Sequence, residues 1–314
     1  MKRGKPRALP PPRVLCGGNL VVDINARPVE SLPPFGVVDF VDTIGLIAGG
    51  NGGNTCCALA TLGVPVALVA RVGADPLGAF LIDHLRKHRV DISQVSVDTE
   101  LPTSTTTAII NSRGERSGLH AFGANARLCE SDFNFQKLTG RVPAIFHLCA
   151  TFLLPRLDGA PAARLLERAR QLDCLTSMDV SWDGKGRWLS LIEPCLPFVD
   201  FFLPNLDEAR AISGRSEVDK MAEFFLSRGV GTVVIKLGPG GCYVRSGAQH
   251  WSAPAFETKV VDTTGAGDTF IAGFLAGILS GWDLPQCARL GNAAAALRIG
   301  PAGLVSREQA LAML

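Results

Sequence analysis

Hydrophobic residues in this chain fall into short segments with two alternating spacings. Runs rich in β-branched residues predict strands, and segments with an apolar residue every three or four positions predict helices. Strands are predicted at 14–24 (interrupted by two glycines), 64–69, 144–148, 175–180, 201–203 and 232–236. Helices are predicted at 55–62, 76–88, 160–172, 206–213, 217–228 and over the apolar run 269–279. The alternation predicts an α/β fold whose parallel sheet is covered by helices on both faces, with ligands at the carboxyl edge of the strands.

Two segments interrupt this alternation. Residues 28–47 contain Pro33 and Pro34 among alternating apolar positions, which predicts one or two strands and no helix. Residues 103–110 and 118–122 flank the polar turn 111–115, and this pattern predicts a hairpin. Both segments therefore stand apart from the main sheet.

Composition and charge narrow the class of protein. The 314 residues are 47% hydrophobic and 19% charged, which is typical of a soluble globular protein. Lys plus Arg number 31 against 29 Asp plus Glu, so net charge gives no reason to expect nucleic acid as a partner. The basic, Pro-rich residues 1–12 are interpreted as a flexible tail, with a nucleic-acid arm as the second interpretation. Without a signal peptide or a long apolar run, we expect a cytoplasmic protein with no membrane partner.

Cysteine and histidine give no metal-binding pattern. The nine cysteines are scattered without a CxxC pair, and the five histidines show no HExxH spacing. We interpret the cysteines as small buried hydrophobic residues of a protein in a reducing compartment, in preference to disulfide partners. No structural metal is predicted.

The segment 262–268, Asp-Thr-Thr-Gly-Ala-Gly-Asp, precedes an apolar helix. Glycine-rich backbone can turn its N–H groups toward one point, and a helix N-terminus adds unpaired donors and the positive end of its dipole. The segment is thus a candidate anion pocket ending at Asp268. A simple glycine turn between a strand and a helix is the alternative.

Other polar residues follow predicted strands or open predicted helices, and each has a structural alternative. Asp23 is a lone acid among aliphatic residues, where burial would be costly without a partner. Gly49, Gly50 and Asn54 belong to a glycine-rich segment that permits close approach of a ligand to the backbone. Asn205 and Glu208 lie three residues apart at a helix start, a spacing that also describes a capping box. Structural roles remain open for each of them.

Two further segments have the same ambiguity. Lys236, Gly238 and Gly240 follow a β-rich run, where the glycines suit either a hairpin turn or a flat or phosphorylated ligand. Asn292 lies in an alanine-rich helix, where a structural role is the simpler interpretation.

Taken together, GGNGGN at 49–54 with its helix and DTTGAGDTFIAGF at 262–274 resemble the two signatures of the ribokinase-like (PfkB-type) carbohydrate kinases. The resemblance extends from Arg13 to the C-terminus, with Asp23, Asn205-x-x-Glu208, Gly238 and Asn292 in family order. It implies a kinase domain at 13–314 with a three-layer α/β/α fold. The implied small β-lid is formed by segments near 20–47 and 103–125.

The resemblance also implies a role for each motif residue. Asp268 would be the general base, and backbone N–H groups of the 265–268 turn would form an anion hole. The implied catalytic residues are Asp268, Gly265, Ala266 and Gly267. The residues implied to bind the acceptor are Asp23, Gly49, Gly50, Asn54 and Asn125. The residues implied to bind ATP are Asn205, Lys236, Gly238, Gly240 and Asn292. Mg²⁺ would be held, directly or through water, by Asn205 and Glu208. A monovalent cation such as K⁺ would lie near Asp262 and Thr264.

The expected activity is ATP-dependent phosphorylation of a hydroxyl of a small sugar or sugar acid. A nucleoside kinase and an inactive sugar- or nucleotide-binding regulator are the alternatives, although retention of Asp268 and the anion-hole glycines argues against the regulator. No basic cluster accompanies the substrate motifs, which favours a neutral over a phosphorylated acceptor. By resemblance, a homodimer would form through the lid.

Overall fold

A computed structural model describes residues 13–137, 145–301, 303 and 305–314. The tail 1–12 and residue 144 of one predicted strand lie outside these residues. The described strands are β1 (Val14–Gly17), β2 (Val21–Arg27), β3 (Thr43–Gly49), β4 (Val66–Gly73), β5 (Asp91–Asp98), β6 (Thr105–Ile110), β7 (Arg116–Ala121), β8 (Ile145–Thr151), β9 (Leu175–Val180), β10 (Phe201–Phe202), β11 (Thr232–Lys236), β12 (Cys242–Ser246) and β13 (Gln249–Ala253). The described helices are α1 (Asn51–Thr61), α2 (Pro76–Lys87), α3 (Ala160–Gln171), α4 (Leu189–Ile192), α5 (Leu206–Ser213), α6 (Val218–Leu226), α7 (Ala266–Leu279), α8 (Leu284–Ile299) and α9 (Arg307–Ala312).

The central sheet contains nine strands in the order β13-β12-β11-β10-β9-β8-β1-β4-β5. From β11 to β5 all neighbours are parallel, whereas β12 and β13 form an antiparallel edge. This confirms the predicted parallel α/β architecture. It also brings the ends of β9, β10 and β11 to one edge of the sheet.

Alternate strand residues supply two separate cores, one on each face of the sheet. Val14 and Cys16 of β1 pack in the core that contains α1, α2, α7 and α8. Leu15, between them, packs in the core that contains α3, α5 and α6. Because successive side chains of a strand point to opposite faces, this division is that of a three-layer α/β/α fold. The predicted fold class is therefore confirmed.

A second sheet has four strands in the order β3-β2-β6-β7. Strand β3 and the hairpin β6–β7 come from the two segments that break the sequence alternation, whereas β2 comes from the end of the predicted strand 14–24. Its strands β2 and β6 are parallel, and the pairs β2–β3 and β6–β7 are antiparallel. We call this four-stranded sheet the lid sheet, after the lid that the sequence resemblance implies.

Several details differ from the sequence expectations. The predicted strand 14–24 is two strands in different sheets, because the chain leaves the central sheet after Gly17. Helix α1 begins at Asn51, four residues before the predicted start. Its glycines allow close packing, because a Cβ on Gly52 would lie 2.8 Å from the carbonyl oxygen of Asn19. Strand β5 was not predicted, because its mixed polar sequence suits the sheet edge that it occupies.

No helix among the described residues combines the length and the hydrophobicity needed to cross a lipid bilayer.

Candidate active site

Functional side chains meet where β9, β10 and β11 end beside the start of α7. A cavity of about 300 Å³ lies at this point. The predicted residues that line it are Asn205, Glu208, Lys236, Gly265, Ala266, Gly267 and Asp268. The structure therefore brings together residues that are widely separated in the sequence.

The backbone at the start of α7 presents free donors to this cavity. Gly265 is the N-cap residue and adopts φ 75°, a left-handed conformation that glycine enters without strain. Within the described chain, the N–H groups of Gly265, Gly267 and Asp268 make no hydrogen bond. The N–H of Ala266 instead donates to the carbonyl of Thr263 at 3.1 Å. Three of the four expected donors are thus open to an anion, and the Ala266 donor is occupied by the turn.

Asp268 is held by two asparagine side chains from α1. Nδ2 of Asn54 donates to Oδ2 of Asp268 at 2.8 Å, and Nδ2 of Asn51 donates to Oδ1 at 3.1 Å. Burial raises the pKa of Asp268 to about 6, although the hydrogen bond from Asn54 acts in the opposite direction. The carboxyl group is therefore fixed in orientation and titrates close to neutral pH.

A buried ion pair closes the same cavity. Nζ of Lys236 lies 2.9 Å from Oδ1 of Asp179, and both side chains are largely buried. Burial alone would lower the pKa of Lys236, but attraction to Asp179 and Glu208 outweighs it and raises the pKa. Lys236 therefore brings a positive charge to a site that also contains Asp268.

Sequence reasoning missed Asp179 and two polar neighbours. Asp179 is an acid near the carboxyl end of an apolar strand, the same signal that identified Asp23. Asn51 is the first asparagine of GGNGGN, and its Oδ1 accepts a hydrogen bond from Ser181. Both signals were present in the sequence.

Asn205 and Glu208 form a capping box at the start of α5. Oδ1 of Asn205 accepts from the N–H of Glu208 at 2.9 Å, and Oε2 of Glu208 accepts from the N–H of Asn205 at 2.8 Å. The structural alternative for this motif is thus realised. Both residues nevertheless line the cavity, and burial, followed by repulsion from Asp179, raises the pKa of Glu208 to about 7.

This pair fits a magnesium ion held through water. Glu208 is a desolvated carboxyl group, so a nearby cation would relieve the cost of its ionisation. Mg²⁺ prefers oxygen ligands and keeps several waters, which suits one or two carboxylates and an amide oxygen. The remaining lone pairs of Glu208 and the carboxylate of Asp179 supply such oxygen atoms.

A larger, more apolar cavity of about 440 Å³ adjoins the first and shares Lys236, Thr263, Ala266 and Gly267 with it. Gly238 and Asn292 line it, together with Phe256 and Phe270. Gly240 is an exposed residue of the 3₁₀ turn Gly238–Gly240 and is not among the lining residues.

Asn292 faces this cavity but has a structural contact. Its Nδ2 donates to the carbonyls of Ala253 and Pro254 at 2.9 and 3.0 Å. Its amide donors are therefore committed to the backbone.

On the lid side, Asp23 lies beside the glycine-rich segment. A Cβ on Gly49 would come within 2.8 Å of Oδ2 of Asp23, and Gly50 has φ 91°. Nη2 of Arg116 donates to Oδ1 of Asp23 at 3.1 Å. The acid expected to bind an acceptor thus already has an arginine partner, which the sequence did not indicate.

A second arginine approaches from α8. A Cβ on Gly265 would lie 3.5 Å from Nε of Arg298 and equally far from Nδ2 of Asn54. Burial opposes ionisation of Asp262, but its pKa is lowered, chiefly by the hydrogen bond from the N–H of Thr264 at 2.9 Å and then by the charges of Arg298 and Arg116. The sequence shows no basic cluster beside the acceptor motifs, but folding brings two arginines to them from distant positions.

Asn125 is not placed as expected for an acceptor ligand. It is 1% exposed, its Nδ2 donates to the carbonyl of Leu20 at 2.9 Å, and its Oδ1 accepts from the N–H of Leu20 at 3.3 Å. Both ends of the amide are therefore used to fix the loop before β2. The physical reason is burial, because the side chain is 1% exposed and one N–H and the oxygen of its amide already bond to the backbone of Leu20.

Comparison with known proteins agrees with this arrangement. The family model described as pfkB family carbohydrate kinase matches residues 12–310. Fructoselysine 6-kinase of Shigella flexneri is 32% identical over 256 residues, which cover 80% of this chain and 89% of that protein. 2-Dehydro-3-deoxygluconokinase of Bacillus subtilis is 27% identical over 286 residues, 86% of each chain.

A solved structure shows the same fold. The ribokinase of Arabidopsis thaliana, complexed with ribose and ATP, superposes with a TM-score of 0.84 and 24% identity, covering 96% of this chain and 98% of that one. Since the family model spans nearly the entire sequence, from residue 12 to residue 310, this protein belongs to the pfkB family of carbohydrate kinases and is a phosphotransferase.

Proposed function

We propose that this protein transfers the γ-phosphoryl group of ATP to a hydroxyl of a small sugar or sugar acid, with Asp268 as general base. The observation that carries the proposal is the position of Asp268, whose carboxyl group is oriented by Asn51 and Asn54 and which lines the same cavity as Gly265 and Gly267 with their open N–H groups. A proton acceptor and an anion site thus share one helix turn.

The acceptor hydroxyl would lie beside the carboxyl group of Asp268, where its proton can pass to the carboxylate. An ordinary carboxylate suffices as the base, because phosphoryl transfer has a loose transition state that needs little activation of the nucleophile. The raised pKa of Asp268, about 6, brings its basicity nearer to working pH. Positioning of the hydroxyl supplies the larger part of the rate.

Charge on the moving phosphoryl group would be stabilised by fixed groups. The free N–H groups of Gly265, Gly267 and Asp268 point from the helix start, and the helix dipole adds to them. Lys236 supports this role, because a Cβ on Gly267 would lie 3.5 Å from its Nζ. None of these groups has to reorganise during the reaction.

ATP would lie along the 440 Å³ cavity between the 238–241 turn and α8, with its phosphates toward Lys236. Asn205 and Glu208 would hold Mg²⁺ through water, and the ion would offset phosphate charge. Asn292 shapes the wall through its bonds to the 253–254 backbone. Asp262 and Thr264 remain the proposed neighbours of a monovalent cation.

The acceptor would contact Asp23, Asn54 and the backbone near Gly49 and Gly50. Arg116 at Asp23 and Arg298 near Asn54 favour an acceptor that carries a carboxylate, because guanidinium groups pair with carboxylates in a bidentate manner. A relative named 2-dehydro-3-deoxygluconokinase acts, by its name, on such a sugar acid. We therefore place sugar acids ahead of neutral sugars.

The lid sheet supports the proposed homodimer. Ile44 of β3 and Leu119 of β7 are 69% and 74% exposed and lie on the same face of the sheet by strand register. The opposite face carries Asp23 and His120. One face would cover the acceptor and the other would meet a second subunit. Light scattering should give twice the chain mass, and Leu119→Arg should give the monomer; a monomeric parent protein would refute this arrangement.

The test of function is ADP release with Mg²⁺ and ATP over sugar acids, hexoses, pentoses, sugar phosphates and nucleosides. We expect turnover that requires an acceptor and is highest with a sugar acid. Preference for a nucleoside would replace the proposal with a nucleoside kinase, and no acceptor-dependent turnover would favour a binding protein without activity.

Two variants make the assay specific. Asp268→Asn keeps the shape of the side chain but removes the base, so turnover should fall by about 10²–10⁴-fold. Asp207→Asn is the matched control, because Asp207 is exposed on α5. Equal activity of the two variants would show that Asp268 is not the base.

A further inference from the structure

A further cavity of about 370 Å³ lies where α1, α2 and β3 of the lid sheet meet, and Asn54 and Arg298 of the proposed acceptor site also line it. Three side chains with metal-binding atoms line it: Cys57 of α1, His84 of α2 and His88, the C-cap residue of α2. One ligand atom from each lies within 4.8 Å of the other two. Phosphoryl transfer as proposed above uses none of these residues.

We propose that Cys57, His84 and His88 form a binding site for a soft divalent transition-metal ion such as Zn²⁺. One thiolate and two imidazoles are a ligand set that zinc accepts, and the cavity leaves room for water in the fourth position. Mg²⁺ prefers oxygen ligands, so this site is chemically distinct from the proposed ATP site.

The helix geometry places the two imidazoles side by side. His84 and His88 are four residues apart, a spacing that aligns side chains on one face of a helix. Their ring centroids are 4.4 Å apart with a 42° interplanar angle. Two histidines at this spacing are a frequent metal-binding arrangement on helices.

Hydrogen bonding prepares His88 to bind a metal. Its Nδ1 lies 2.9 Å from the carbonyl oxygen of His84. Because a carbonyl only accepts, Nδ1 carries the proton and the lone pair of Nε2 is free. A backbone carbonyl that orients a histidine through its other nitrogen is a regular feature around metal ions.

The two remaining ligands are also available. His84 is half-buried, and it lines the cavity beside His88. Within the described residues, Sγ of Cys57 has no hydrogen-bond partner. Metal binding would replace the thiol proton with a metal–sulfur bond and release that proton to solvent.

Only a small adjustment would complete the site. Metal–ligand distances near 2.0–2.3 Å place tetrahedral ligand atoms about 3.3–3.6 Å from one another. The two histidines are half-buried, and His88 lies at the helix end, so their rings can rotate toward Cys57. Occupancy would link α1 to α2 one turn away from Asn54.

The absence of a sequence motif does not conflict with this site. The expectation of no structural metal rested on missing CxxC and HExxH patterns, but here the ligands come from two helices. Only packing of α1 against α2 brings them together.

The test uses the full chain, untagged and stripped of metal, titrated with Co²⁺ as a spectroscopic probe and then with Zn²⁺. We expect one equivalent of Co²⁺, a thiolate-to-cobalt charge-transfer band in the near ultraviolet, tetrahedral ligand-field bands in the visible region, and displacement by Zn²⁺. Cys57→Ser should abolish the charge-transfer band. His84→Asn should weaken Zn²⁺ binding by more than the roughly 10–100-fold that loss of a supporting hydrogen bond costs.

Cys129→Ser is the matched control, because Cys129 is the one cysteine that is not buried and lies outside the cluster. It should retain the band and the stoichiometry. The proposal is overturned if the parent protein binds no Co²⁺ with a thiolate band, if Cys57→Ser keeps that band, or if Cys129→Ser loses it. His84→Asn, at a half-buried position, provides the decision if Cys57→Ser fails to fold. None of these measurements depends on the acceptor or on kinase turnover.

Discussion

Nζ of Lys236 lies 2.9 Å from Oδ1 of Asp179, across the short strand β10 that separates β11 from β9. Glu208 and Asp268 are close enough that Lys236 lowers the pKa of both. One buried ammonium thus compensates three buried carboxyl groups at the carboxyl edge of the sheet.

Lys236→Met should damage both stability and activity. Removing one member of a buried ion pair leaves the other charge uncompensated, which costs roughly 3–5 kcal/mol of unfolding free energy. The pKa of Asp268 should also rise, so the remaining activity should require a higher pH. Urea unfolding and a pH profile measure the two effects. Lys220→Met, which breaks an exposed and solvent-screened pair with Glu223, is the control and should leave the unfolding free energy nearly unchanged. A similar loss in both variants would contradict the role assigned to Lys236.

Asp23→Ala should weaken the acceptor more than ATP. Asp23 faces the glycine-rich segment and pairs with Arg116, and neither residue is among those that line the 440 Å³ cavity. We expect KM for the acceptor to rise at least about tenfold, the equivalent of 1.4 kcal/mol, with little change in KM for ATP. The exposed Asp42, just before β3, provides the control Asp42→Ala. Equal increases in both KM values would place Asp23 outside the acceptor site.

Gly267→Ala should reduce turnover without unfolding the protein. Gly267 is a helical residue, and an added Cβ would meet only Lys236 at 3.5 Å, an ordinary contact. The methyl group would however project toward the proposed phosphate position. We expect kcat to fall while the melting temperature stays near that of the parent.

The control for this prediction is Gly184→Ala, where an added Cβ has no neighbour within 4 Å. Retention of full kcat in Gly267→Ala would show that the phosphoryl group does not pass over this helix start.

The sequence predicted the parallel sheet, most helices and several residues that meet at the site. The spacing of hydrophobic residues predicts these strands and helices because each element buries one or two faces against the same sheet. Asp268, Asn54 and Lys236 were identified from motifs, and the structure brings them within one cavity region.

What could not be predicted depends on contacts between distant segments. The pairing of Asp179 with Lys236 and of Arg116 with Asp23 needs the strand order and the position of the lid sheet, which no local pattern encodes. The use of Asn125 to hold Leu20 likewise depends on a contact across 105 residues. The glycines of α1 predict a loop, because glycine has a low helix propensity. In the folded protein close packing outweighs that propensity.

Gly273→Ala should destabilise the fold at the α7–α8 contact. A Cβ on Gly273 would lie 2.7 Å from the carbonyl oxygen of Leu290 and 2.9 Å from Cα of Gly291. These neighbours are backbone atoms, so the helices would have to separate, at a cost of roughly 1–3 kcal/mol. Urea unfolding measures the loss. Gly184→Ala again serves as the control, and an unchanged or higher stability of Gly273→Ala would mean that the helices tolerate wider spacing.

The pH dependence of activity should report Asp268. Its pKa is raised to about 6 by burial, and the base must be ionised to accept a proton. Activity, measured as kcat/KM for the acceptor, should therefore fall as pH decreases through about 6 and reach a plateau above it. A decrease of kcat/KM centred near pH 4, about the pKa of an unperturbed carboxyl group, would show that Asp268 is not the group that titrates.

The same raised pKa predicts an effect on stability that needs no substrate. Because folded Asp268 binds its proton more tightly than the unfolded chain does, its contribution to stability is fully present below about pH 4 and is lost as pH rises through about 6. The slope for this one group reaches roughly 1.4 kcal/mol per pH unit between those values. Asp268→Asn resembles the neutral acid and lacks this titration. The parent should thus lose unfolding free energy relative to Asp268→Asn between pH 4.5 and 6.5, as measured by urea unfolding at several pH values. If the unfolding free energies of the two proteins changed in parallel across that range, the buried, raised-pKa state of Asp268 would be contradicted.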